Sequence, residues 1–218
     1  MNKEIYRFLG GSGTFKGTTI NSLMRGARVG YCWPVFSPIK PWKRLGNGVL
    51  MGKLRIGDNI DLAGLSLITL EQNLWQVEHD PEMKTLFIER SVLDNLFYWV
   101  KEKEIDWTKD TANRNFIKDV RKEELKIIEK YGWVEKRGII LEMLDENFIN
   151  NTILSEPTRR EWFPGGAQDY LLFQREYINF LREFWGIGSE LKLRKIISAP
   201  EYLEKIKKGE PIPSERIN

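Results

Sequence analysis

The chain has 218 residues, 41% of them hydrophobic and 30% charged, with a formal net charge of +3. That length suits one α/β domain with a sizeable core, and a charge this close to balance gives no electrostatic case for nucleic acid. A single cysteine, Cys32, excludes an internal disulfide framework and a multi-cysteine zinc site, and fits a reducing compartment. The single histidine, His79, lies in a loop-like Val77-Glu78-His79-Asp80-Pro81 and argues against a histidine metal cluster or a Ser-His-Asp hydrolase. Lys3, Glu4 and Arg7 interrupt any apolar run at the start, so no signal peptide is expected. No stretch approaches the ~20 apolar residues of a membrane helix, and a soluble cytoplasmic protein is the expectation.

The first element is a short strand, Ile5 to Leu9, followed by Gly10-Gly11-Ser12-Gly13-Thr14-Phe15-Lys16-Gly17-Thr18-Thr19 and then a helical stretch to Met24. Strand, glycine loop and helix in this order make a phosphate-binding loop. Glycines let backbone N–H groups turn toward a phosphate, the helix directs its positive end there, and Lys16 supplies a mobile ammonium. Thr18 is the candidate hydroxyl near Mg²⁺. The loop resembles the GxPGxGKGT version found in adenylate kinases, with Phe15 where that pattern has glycine. A bulky residue there implies a loop that holds nucleotide less well, differently, or not at all.

Next, Ala27 to Phe36 and Gly48 to Leu54 have strand character, with Pro34, Pro38 and Pro41 punctuating the first region. Trp33, Lys40, Trp42, Lys43 and Arg44 form a basic, aromatic patch that could meet a DNA strand. The polar loop Arg55 to Gly64 holds Asp58 and Asp61, read either as substrate or metal contacts at a strand's carboxyl end or as acidic capping residues of the next helix. That helix is expected over Leu65 to Val77, from the spacing of Leu67, Leu70, Leu74 and Val77. Thr85 to Ser91 is a buried-type strand ending in Glu89-Arg90-Ser91.

That triplet, with Val92-Leu93-Asp94-Asn95-Leu96-Phe97-Tyr98 after it, resembles the ERS or DR triplet of deoxynucleoside and thymidylate kinases. The chain as a whole resembles a phage-type P-loop nucleoside or nucleotide kinase. More faintly, Gly52-Lys53 to Asp61 is similar to phage kinases acting on 5-hydroxymethyluracil in DNA. The resemblance implies ATP and Mg²⁺ as cofactors, Glu89 near the metal or acting as a base, and Arg90 on the substrate. It places the protein in host cytoplasm if phage-encoded, and leaves a homodimer open.

Further on, Asn113 to Lys130 is an amphipathic helix whose charges read as a solvated face, and Gly138 to Leu144 is a buried-type strand. The polar, irregular Asp145 to Gly166 stands where kinases of this superfamily carry a lid, and by that position Arg159 and Arg160 become candidates to neutralise transferring phosphate. Ala167 to Trp185 is a helix with an aromatic stripe, read as core rather than as a base-stacking platform. A last strand, Leu191 to Ile197, precedes a helix capped by Ser198 with Glu201 and stopped by Gly209. The expected fold is therefore a three-layer α/β domain spanning residues 1–218. It has a mostly parallel five-stranded sheet, helices on both faces and a lid at about 145–166. The expected activity is phosphoryl transfer from ATP to a nucleoside or nucleoside monophosphate. The alternatives are a modified pyrimidine in DNA as acceptor, or a non-catalytic binding protein with a degenerate loop.

Overall fold

The computed structural model describes residues 3–24, 30–34, 59–78, 84–186, 188–209 and 215–216. Five parallel strands are ordered β2 (Gly30–Pro34), β3 (Thr85–Glu89), β1 (Lys3–Leu9), β4 (Trp133–Met143) and β5 (Glu190–Ile196). A two-residue strand, β6 (Glu215–Arg216), adds an antiparallel edge to β5. The expected parallel sheet is thus present, while the strand-like run Gly48 to Leu54, with His79, Asp58 and most of the basic aromatic patch, lies outside the described residues. No described helix is long and apolar enough to cross a membrane.

Alternation along β1 sorts its side chains between the two faces. Ile5 joins a core with Leu70 and Leu74 of α2 (Asn59–Glu78), Ile128 of α4 (Thr111–Lys130) and Trp133. Tyr6 and Phe8 point the other way, each meeting the Phe87 ring edge-on at 5.8 Å. The larger core gathers α3 (Val92–Glu102), α6 (Ala167–Phe184), the carboxyl halves of β4 and β5, and α7 (Ala199–Lys208). Helix α1 (Lys16–Met24) is tied to α7 by Ser22 Oγ donating to the Ile206 carbonyl at 2.7 Å.

Two expectations are corrected. The segment after β4 is helical rather than irregular: a turn at Glu146–Phe148 runs into a π-helical stretch, Ile149–Ile153, and then into α5 (Pro157–Trp162). Asp145 starts this run by accepting from the Phe148 N–H at 2.9 Å, and Pro157 occupies the first helical position of α5, where its missing N–H costs nothing. The charges of α4 are also not all solvated. Arg121 and Glu124 are buried, as are Arg7 of β1 and Glu135 of β4. Arg121 pairs with both Glu124 and Glu135, while Arg7 Nη2 lies 3.0 Å from Glu124 and its Nε also meets Glu135. Ser198 and Gly209 do bound α7, the glycine at φ 70° in the left-handed conformation that glycine adopts without strain.

Candidate active site

The site grows from the register of the central strands. Phe8 of β1 lies opposite Glu89 of β3, and the Arg90 N–H donates to the Phe8 carbonyl at 2.8 Å. Glu89 and Arg90 are therefore delivered beside the loop that leaves β1. In a parallel sheet these carboxyl ends, where neighbouring connections diverge, form the crevice that receives ligands.

The loop closes around its own lysine. Lys16 is buried, and its ammonium donates to the carbonyls of Gly10 at 2.9 Å and Gly11 at 2.7 Å, with Thr14 Oγ1 at 3.5 Å. Thr14 in turn donates to the Gly11 carbonyl. Gly10 takes φ 133°, and a Cβ on it would stand 2.5 Å from the Leu141 carbonyl oxygen, so no larger residue fits. Burial drives the Lys16 ammonium down to about 7, the nearby Arg90 charge adds to this, and Glu89 and Asp94 oppose it.

Phe15 is where the loop departs from the adenylate-kinase pattern, and its backbone takes the left-handed conformation that glycine favours. It has φ 59°, a left-handed value costing on the order of 1–2 kcal/mol for a side-chain-bearing residue. Its ring turns away from the loop interior, 5.1 Å from the Phe148 ring and stacked at 5.9 Å on Tyr202. Its carbonyl accepts from the Thr19 N–H and from Thr19 Oγ1, both at 2.8 Å. Thr19 Oγ1 is also 2.9 Å from the Tyr202 hydroxyl. Thr19 is thus a strut, while Thr18 is exposed in the first turn of α1. The N–H groups of Lys16, Gly17 and Thr18 have no carbonyl within the helix to receive them, which leaves the positive helix end facing the loop.

Arg90 sits at φ 74° and is buried. Its carbonyl accepts from Arg7 Nη1 at 2.9 Å, and its guanidinium lies 3.5 Å from Asp94 Oδ1. Asp94 closes a capping box with Ser91 and accepts from the Tyr177 hydroxyl at 2.8 Å. Burial pushes its carboxyl up, and Arg90 opposes that shift. Ser91 Oγ donates to Glu124 at 2.9 Å, which couples the site to the buried charges under the sheet. Glu89 Oε2 stands 3.5 Å from where a Cβ on Gly17 would be, so this carboxylate faces the start of α1.

Arg159 of α5 is turned inward, held by the Ile153 carbonyl at 3.3 Å and by Glu156 at 3.0 Å; Arg160 is exposed. Arg159 also lines a cavity of about 200 Å³ with Ser12, Tyr98, Glu102, Trp162 and Phe173. Tyr170, at its edge, donates to the Ser12 carbonyl at 2.8 Å. The structure therefore brings together Ser12, Lys16, Glu89, Arg90 and Arg159. Asp61 falls in the first turn of α2, and its side chain belongs to the part not described. Sequence reasoning missed this cavity because its rings come from three helices. Tyr170 and Phe173 belong to the aromatic stripe assigned wholly to the core, and they serve both purposes.

No protein-only metal cage, a group of three or more His, Cys, Asp or Glu side chains, occurs among the described residues. The Thr18 hydroxyl and Glu89 carboxylate are hard oxygen donors of the kind Mg²⁺ takes when phosphates complete its shell, so the donor set fits.

A central strand feeding a glycine loop, an acid–arginine pair on the adjacent strand and an arginine-bearing helical segment beyond the next define the P-loop nucleoside and nucleotide kinase fold. No family model and no curated protein matches the sequence. Solved structures do match. Thymidylate kinase from Ehrlichia chaffeensis superposes with a TM-score of 0.51 at 10% identity, over 96% of this chain and 97% of that one. Deoxyadenosine kinase from M. mycoides, with bound dATP, gives 0.52 at 12% identity over 94% and 95%. The likeness is one of fold, carried by nearly the whole length of both proteins.

Proposed function

We propose that the chain is an ATP-dependent phosphotransferase whose acceptor is a nucleoside or nucleoside monophosphate. The observation that carries this reading is the convergence of Lys16, Arg90 and Arg159 on one side of a glycine loop, next to an aromatic cavity of the size of a single nucleoside. Buried cations with helix N–H groups beside them suit a polyphosphate, and ring-lined cavities suit a planar base.

In this reading the loop amides from Gly11 to Thr18 and the Lys16 ammonium hold the β- and γ-phosphates. Thr18 would hold Mg²⁺, which when bound neutralises phosphate charge, and Glu89 serves either that metal or the acceptor as its base. A nucleoside acceptor attacks the γ-phosphorus through its hydroxyl and passes the proton to Glu89 where that carboxylate is not on the metal, whereas a monophosphate acceptor attacks through a phosphate oxygen. In either case the bond from the γ-phosphorus to the β–γ bridging oxygen breaks and ADP leaves. Arg90 holds the acceptor, while Arg159, with Arg160 at the rim, balances charge on the transferring group as the lid segment 145–166 closes. Positioning and electrostatics dominate such reactions, so the absence of a catalytic cysteine or histidine from this set is no obstacle. The neighbouring fold supports a kinase, and the left-handed backbone of Phe15 favours a working loop over a degenerate one.

The test is the melting temperature with and without Mg²⁺ and ATP, since a ligand that binds only the folded state raises it. The wild type is expected to shift upward by several degrees, and Lys16→Ala to lose the shift together with any transfer to deoxynucleosides or their monophosphates. Full transfer by Lys16→Ala would refute the assignment.

A further inference from the structure

The cavity beside Ser12 carries more chemical information than a phosphotransferase requires. Its walls are rings in contact with one another: Tyr98 with Trp162 at 5.8 Å and with Phe173 at 5.6 Å, and Phe163 with Phe173 at 5.2 Å. Two charged side chains interrupt this apolar lining. Arg159 enters from α5, a hydrogen-bond donor only, and Glu102 from the last turn of α3, a carboxylate that only accepts. Glu102 follows Tyr98 by four residues, so it lies one turn along the same face of the helix. A flat ligand lying against these rings therefore meets a carboxylate that accepts from its edge.

We propose that Glu102 reads the edge of the base held in this cavity, and that the preferred ligand is a nucleoside whose base carries an exocyclic amino group, not thymine or uracil. This rests on the acceptor reading above. The amino group of cytosine or adenine gives its N–H to the carboxylate, while Arg159 keeps its place at the transferring phosphate. Thymine and uracil present carbonyl oxygens on both sides of their single N–H, and these repel a carboxylate. Hydrogen bonds to charged groups are worth about 1.5–3 kcal/mol, which corresponds to roughly tenfold or more in affinity. Because Glu102 is exposed at the cavity mouth, the lower end applies.

The experiment is titration calorimetry of the full chain with deoxycytidine, deoxyadenosine and thymidine in the absence of ATP, repeated on Glu102→Gln and Glu102→Ala. Deoxycytidine or deoxyadenosine is expected to bind about tenfold more tightly than thymidine. Glu102→Gln, whose amide both donates and accepts, is expected to reduce the ratio to about twofold or less. Glu102→Ala is expected to lose affinity for the amino-bearing nucleoside while thymidine is unaffected or gains. Equal or tighter thymidine binding by the wild type, an unchanged ratio in Glu102→Gln, or no nucleoside binding at all would each overturn the proposal. Transfer from ATP, assayed on the same preparations, separates the two claims: a clear base preference without transfer keeps this inference and overturns the phosphotransferase.

Discussion

Two clusters of buried charge lie within a few residues of each other and are built on opposite plans. Under the sheet, Arg7 and Arg121 face Glu124 and Glu135, two positive charges against two negative, with every carboxylate in an ion pair. At the loop, Arg90 and Arg159 each lie by a carboxylate, Asp94 and Glu156. Lys16 instead places its hydrogen bonds on the carbonyls of Gly10 and Gly11, repelled by both arginines and attracted by Glu89 and Asp94. The first cluster is electrically complete in the folded chain. The second is held together by backbone oxygens and carries an ammonium that burial disfavours, an arrangement that an arriving anion would complete. A cluster whose charges all pair with one another secures a structure, and a buried ammonium held by carbonyls marks where a charged ligand belongs.

The largest effect should come from unbalancing the first cluster. Glu124 receives Ser91 Oγ and the Val92 N–H and also pairs with two arginines, so Glu124→Gln leaves Arg7 and Arg121 with Glu135 alone. Removing one partner of a buried pair costs about 3–5 kcal/mol. Denaturant unfolding is expected to show a loss of that order, and a loss under about 1 kcal/mol would mean the cluster is not the structural element argued above.

These two clusters were not equally legible in the sequence. The loop is local: ten consecutive residues carry the glycines, the lysine and the hydroxyls, and the neighbouring triplet Glu89-Arg90-Ser91 is contiguous as well. The balanced cluster is assembled from β1, α4 and β4, with Arg7 and Glu135 separated by 128 positions. An amphipathic reading of α4 assigns Arg121 and Glu124 to solvent because it cannot see partners on other elements. The cavity was hidden for the same reason, since Tyr98, Trp162 and Phe173 meet only after three helices have packed. Phe15 was visible as a departure, but its consequence depended on a backbone angle and on Phe148 and Tyr202, which lie far along the chain.

The second cluster predicts an unusual pH dependence. With Lys16 lowered to about 7 in the folded state against 10.5 unperturbed, the unfolded chain binds more protons across that interval. Stability contributed by this residue therefore rises with pH from about 7 toward 10.5, with a slope of at most about 1.4 kcal/mol per pH unit. The buried tyrosines Tyr98 and Tyr177, pushed upward by burial, reverse the trend above pH ~10, so the useful window is pH 7 to 9.5. Lys16→Met is expected to flatten the slope there while keeping the fold, in contrast to Glu124→Gln. A slope equal in both proteins would show that Lys16 titrates normally. An anion at the loop should restore the ammonium, so ATP binding should be accompanied by proton uptake near pH 8, measurable as a buffer-dependent heat.

The smallest expected effect concerns the residue that joins the two plans, since Phe15 belongs to the loop through its backbone and to the core through its ring. Phe15→Gly removes a left-handed strain on the order of 1–2 kcal/mol and also removes the ring's contacts with Phe148 and Tyr202, while adding chain entropy to the unfolded state. Full truncation of a buried phenylalanine costs about 3–5 kcal/mol, and a half-buried ring less. The terms nearly offset, leaving a net loss of about 1 kcal/mol, or a few degrees in melting temperature. Phe15→Ala keeps the strain and loses the ring, so it should be less stable than Phe15→Gly even though it retains more side chain. That inversion is diagnostic. If Phe15→Ala proves the more stable of the two, the residue does not hold the glycine conformation, and the loop would have to be rebuilt before it could grip a phosphate.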